Sequence, residues 1–86
     1  MIHELIAVYD IKGQIYGKPV CAQSHGSAVR SFGDAVNDPS TEYFKHPEDY
    51  ILFAIGQYDD STGHFSQDKP IELAKALALK DRKSVV

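Results

Sequence analysis

Between positions 50 and 58 the chain places apolar side chains on both faces of an extended segment: Tyr50, Leu52, Ala54 and Tyr58 on one, Ile51, Phe53 and Ile55 on the other. A strand with no polar face is a central strand of a sheet. Asp59, Asp60, Ser61, Thr62 and Gly63 follow, with the side-chain acceptors and the positive-φ residue of a tight turn, so a hairpin is expected to return over 64–67. Residues 2–11 repeat the pattern, with Leu5, Ala7, Tyr9 and Ile11 on one side and Ile6 and Val8 on the other, and predict a second central strand. Two glycines within 12–17 and then Pro19 mark a turn before a short strand at about 20–23, where Pro19 favours an edge or a strand start.

The period then changes from two to 3.6. Ser24 is placed to cap a helix whose apolar positions are Ala28, Val29, Phe32, Ala35 and Val36, and Asn37, Asp38 and Pro39 stop it. Arg30, Ser31 and Asp34 fall on its outward side, and Gly33 inside it costs about 1 kcal/mol relative to alanine. Residues 38–49 read as a loop pinned by Tyr43 and Phe44. Asp68 and Pro70 suggest a cap and first turn for a second helix over 70–82, with Leu73, Ala74, Leu77, Ala78 and Leu79 as its apolar stripe. The expected fold class is α+β: a small antiparallel sheet of about four strands packed with one central helix and a C-terminal helix. Residues 1–86 read as one domain, with 80–86 a flexible basic tail.

At 86 residues the chain buries only about 60 to 65 per cent of its unfolded surface, and with nine aromatic residues and no tryptophan its core is modest. Pairing with a second copy is therefore expected. The single Cys21 excludes an intramolecular disulfide, and its apolar neighbours Val20 and Ala22 predict a buried thiol in a reducing cytoplasm. There is neither a membrane span nor a signal peptide pattern, so a soluble, unexported protein is expected. Charge is divided unevenly: 4 basic and 10 acidic side chains in residues 1–68, but 5 basic and 2 acidic in residues 69–86. Lys69, Lys75, Lys80, Arg82 and Lys83 could meet phosphate through counterion release, or could form a solvated helix face and tail.

The chemistry-bearing residues do not fall into catalytic spacings. His3, His25, His46 and His64 are scattered, and the chain has no H-x-x-x-H or C-x-x-C arrangement, so neither a metal nor an enzyme is expected. Asp59 and Asp60 are better explained by the turn than by calcium, and a Cys21–His25 pair is less expected than a buried thiol. GQIYG, SHGS and STG lack the phosphate-loop and dinucleotide patterns, and SHGS reads as an ordinary helix cap before it reads as a phosphate site. No cofactor is expected. Single-stranded nucleic acid requires aromatic faces beside positive charge. Tyr16, Tyr43 and Tyr58 are candidates, and Tyr16 with Lys12 and Lys18 is the better local cluster.

Two motifs extend this reading. Ala28, Arg30, Phe32, Val36 and Asn37 fit an A-x-R-x-F-x-x-x-V-N pattern; Pro47, Asp49, Tyr50, Leu52, Ile55, Gly56, Tyr58, Asp59, Thr62 and Gly63 fit P-x-D-Y-x-L-x-x-I-G-x-[FY]-D-x-x-T-G. With Tyr9-Asp10 closing the first strand, residues 3–70 resemble the small nonstructural protein of gokushovirus-type microviruses, tailless phages with single-stranded DNA genomes. The resemblance implies a non-enzymatic protein of the infected host's cytoplasm, linked to synthesis or packaging of the genome and binding its single strands. On that reading Lys75, Lys80, Arg82 and Lys83 supply phosphate contacts, with Arg30, Lys12, Lys18 and Tyr16 as a second patch. The alternative is a protein-interaction module that regulates a phage or host replication protein through an edge strand or the acidic hairpin at Asp59 and Asp60.

Overall fold

The structure, a computed structural model, describes residues 1–80. Its elements are β1 (Ile2–Asp10), β2 (Ile15–Tyr16), β3 (Val20–Ala22), α1 (His25–Val36), α2 (Glu42–Lys45), a 3-10 turn (Pro47–Asp49), β4 (Tyr50–Asp59), β5 (His64–Lys75) and α3 (Ala76–Leu79). The strands form one antiparallel sheet in the order β2-β1-β4-β5, and β3 also pairs with β1. The two doubly apolar segments are thus the inner strands, as their patterns predict. β1 and β4 pair from Ile2↔Asp59 to Asp10↔Tyr50, with a register shift where Ile55 bulges out opposite Leu5 and Ile6.

Helix α1 forms where its periodicity places it. The Ser24 hydroxyl accepts from the Ser27 amide at 3.1 Å and the Ser27 hydroxyl accepts from the Ser24 amide at 3.2 Å, a reciprocal cap. Ala28, Phe32 and Val36, spaced by four, are buried against Ile6, Leu52 and Ala76. Asn37 ends the helix, and its side-chain amide donates to the carbonyls of Gly33 (2.9 Å) and Leu79 (3.0 Å), joining α1 to α3. The loop expected at 38–49 is two short helical turns. Tyr43 is wedged between Phe32 and Tyr50, with ring centroids 5.3 and 4.9 Å away. Every member of this core lies on one face of the sheet.

Two expectations are corrected. The helix read over 70–82 is strand as far as Lys75, and α3 spans only Ala76–Leu79; Asp81 and Arg82 lie outside the described residues. The cause is non-local: β4 is ten residues long, and a return of 64–67 alone would leave half its outer edge unpaired. Ile71, Glu72, Ala74 and Lys75 instead pair with Ala54, Phe53, Leu52 and Ile51, while Pro70 sits where β5 departs from its register, on an edge that needs no amide donor. Cys21, expected to be buried, is exposed, because β3 is a three-residue strand on the margin of the sheet. No helix among the described residues is long and apolar enough to cross a membrane.

Candidate nucleic-acid interface

The helices cover one face of the sheet and leave the other open. Directly opposed residues of an antiparallel ladder share a face, so the register defines the open face row by row. Tyr16, Tyr9, Ile51 and Lys75 form one row; Ala7, Phe53 and Glu72 form the next; His3, Tyr58 and Phe65 form the row nearest the β4–β5 hairpin. None of the large apolar members belongs to the core under α1.

The aromatic rings gather at the two ends of this face. At one end Tyr9 and Tyr16 lie 4.7 Å apart by ring centroid, and Phe53 meets them edge-on at 6.2 and 5.6 Å. At the other end Tyr58 stands 6.3 Å from both His3 and Phe65. Between them runs a trough of about 430 Å³ with Leu5, Ala7 and Ile55 in its lining. Tyr16 is 42% exposed and Phe65 68% exposed, values that are high for rings packed side by side on a sheet. Edge-to-face contacts fix the rings relative to one another while leaving aromatic surface for a further planar group.

The hairpin end is clasped to the start of β1. The N-terminal ammonium donates to Asp60 Oδ1 at 2.8 Å and His3 Nε2 lies 2.7 Å from Asp60 Oδ2. These two contacts, the ammonium first, hold the Asp60 carboxyl below the ordinary carboxylate range. Asp59 is held low chiefly by the Ser61 hydroxyl and amide, at 2.7 and 3.0 Å. Gly63, with φ +74°, closes the turn. The acidic pair is therefore occupied within the fold.

Charge around the open face is mixed. Lys75 is 3.7 Å from Glu72, and Lys12 and Lys69 are exposed near Asp10 and Asp68 in the sequence. Of the other basic residues named from sequence, Lys18 lines a separate groove of about 240 Å³ with Ser31, Phe32 and Tyr43 on the helix side. Arg30 is exposed on α1, in the layer behind the sheet. Lys80 stands over the Phe44 ring at 4.1 Å, and Arg82 and Lys83 lie outside the described residues. Tyr16 is thus brought into an aromatic cluster, while Lys18 lines the other groove. Tyr9 and Phe53 were read only as strand residues. Their signal was a second apolar face in a chain with too little helix to cover both. Elsewhere, His46, Glu48 and Asp49 bring one ligand atom each within 4.8 Å on a surface turn.

The domain is antiparallel α+β, with helix over one face of its sheet and aromatic side chains on the other. Its lineage is that of a bacteriophage protein: residues 3–79 match the family model described as Phage ORF5 protein, and the chain belongs to that family. No curated protein and no solved structure matches the chain.

Proposed function

We propose that this phage protein binds single-stranded DNA on the open face of its sheet and acts, as a non-enzymatic nonstructural protein of a gokushovirus-type microvirus, in synthesis or packaging of the genome in the host cytoplasm. The observation that carries the reading is the aromatic face itself. Tyr16 and Phe65 line the trough as stacking surfaces, with Tyr9 and Phe53 packed against the first and Tyr58 against the second. Stacking on aromatic side chains is worth about 1–3 kcal/mol per base and requires unpaired bases, so single strands are favoured over duplex. Three lysines and three carboxylates on or beside the face, Lys12, Lys69 and Lys75 with Asp10, Asp68 and Glu72, leave little net charge there. Stacking rather than phosphate contact then carries the affinity, and the salt dependence is shallow.

Fluorescence anisotropy of labelled single and double strands at low and near-physiological salt tests this. The expected result is single-strand binding, reduced about fivefold to a hundredfold in Tyr16→Ala and Phe53→Ala, since each removes one stacking surface. Wild-type affinity in both variants would remove the open face from the site. A Lys80, Arg82, Lys83 triple-alanine variant tests the C-terminal basic cluster separately; unchanged affinity removes it. A second reading, a module that regulates a phage or host replication protein, draws on the acidic balance of residues 1–68. The edge of β5 supports it poorly, because the register breaks around 68–70 and Pro70 blunts pairing there. Pairing with a second copy belongs to the same proposal and is read by sedimentation velocity.

A further inference from the structure

The trough between the two aromatic ends is not uniform. Leu5, Ala7 and Ile55 are apolar, Tyr16 and Phe65 are aromatic, and Pro19 and Pro70 add rigid apolar surface. Polar groups are confined to one stretch of β5: Ser66, Gln67 and Asp68. Asp68 is exposed at the rim of the trough, and among the described residues its carboxylate has no hydrogen-bond or ion-pair partner. Both of its oxygens are open to a flat ligand that presents N–H donors at its edge. An ionised carboxylate only accepts, and its two oxygens suit two parallel donors.

We infer that the trough is a nucleobase subsite that selects guanine. Of the four unpaired bases, guanine alone offers two adjacent donors, N1–H and the 2-amino group, in the spacing of a carboxylate. Cytosine and adenine each offer an amino donor beside an acceptor that faces the second oxygen unfavourably. Thymine offers one N–H between two carbonyls that repel it. The base lies over Leu5 and Ile55 with Phe65 and Tyr16 at its margins, its Watson–Crick edge meets Asp68, and the Gln67 amide stands beside it to donate to the 6-carbonyl. This deepens the single-strand reading and rests on it. It also gives Asp68 a use that a phosphate-tracking surface would forbid, since phosphate stays at the solvent side of the base.

The test uses the full-length protein and 12-nucleotide strands: all-thymine, and the same strand with two central guanines, two cytosines or two inosines. Anisotropy is expected to show the guanine strand bound about five- to a hundredfold more tightly than the all-thymine strand, the range of one good bidentate base contact. Inosine, which lacks the 2-amino group, loses most of that gain. Asp68→Asn, at an exposed position where the fold is not at risk, is expected to erase the guanine preference while keeping the affinity for thymine strands; Phe65→Ala is expected to weaken all strands alike. Equal affinity for every strand, unchanged in Asp68→Asn, overturns the guanine subsite and leaves the stacking face standing. Absence of binding to any strand overturns both. A dimer lost in Phe65→Asp would show that a second copy fills the trough, and overturns the subsite as well.

Discussion

Gly56 is the point at which the sheet is least able to accept change. It is buried on β4, opposite Leu5 on one side and Gln67 on the other, next to the register shift that sets Ile55 out of line. A Cβ built on Gly56 falls far inside contact with the Ser66 carbonyl oxygen and also meets the Gln67 Cα at 3.3 Å. These are backbone atoms of a paired strand, so no side chain can rotate away and the strands themselves must part. Overpacking of a tight interior costs about 1–3 kcal/mol, and with backbone as the obstacle the upper part of that range applies to Gly56→Ala. For a domain of this size each kcal/mol lowers Tm by about 4–8 °C, so a loss of about 8–24 °C is expected. Thermal unfolding followed by far-UV circular dichroism reads it, with urea unfolding as a check on the slope. Gly26→Ala is the control: its nearest neighbour is the Ser24 hydroxyl at 3.9 Å and it lies in the first turn of α1, where alanine is better than glycine by up to ~1 kcal/mol. A Gly56→Ala protein melting within about 2 °C of wild type, a shift worth well under 1 kcal/mol, would refute the close approach of β4 and β5.

Two further perturbations probe the supports of the site. Asn37→Ala removes the donor shared by the Gly33 and Leu79 carbonyls and is expected to cost about 1–3 kcal/mol in urea midpoint at constant slope; no change would mean that α3 is held without this link. The clasp of Asp60 has a defined pH window. Its carboxyl is held below 3.8, so its contribution is present above that value and is lost as pH falls through the folded one. The N-terminal ammonium is raised above 8.0, so its share is present below 8.0 and is lost as pH rises through the raised value. The Tm advantage of wild type over Asp60→Asn should therefore be greatest between 3.8 and 8.0, shrink at both ends and diminish with salt. Tm profiles that coincide between 3.8 and 8.0, or that stay parallel below 3.8 and above 8.0, would show that the clasp contributes nothing.

What could be read from sequence was what local spacing controls. Helix α1 was legible because Ser24, the four-residue spacing of Ala28, Phe32 and Val36, and Asn37 agree with one another. β1 and β4 were legible because both of their faces are apolar. Residues 70–75 misled because Asp68, Pro70, Leu73 and Ala74 carry a true helical signal that is outweighed by the unpaired edge of β4, a demand made by residues 51–54. The exposed Cys21 had the same origin: an apolar triplet says strand, and only the sheet order says margin. For the site, Tyr16 was visible beside its lysines. Tyr9, Phe53 and Phe65 were not, since an aromatic residue on a strand looks the same whether a helix covers it or nothing does.

The pairing of β1 with β4 also orders events in time. During synthesis the first strand emerges with only β2 and β3 within reach, and the strand that covers its longer edge is made after the helix and the turns behind it. Helix α1, at 12 residues, is too short to persist without the sheet beneath it. A nascent chain that stops before residue 50 therefore has no core to close, and the edge of β1 that β4 covers waits unpaired at the ribosome exit. Folding is governed by contacts distant in the chain, which makes it slow for so small a domain. That waiting interval is when the chain is most exposed to aggregation with its own neighbours.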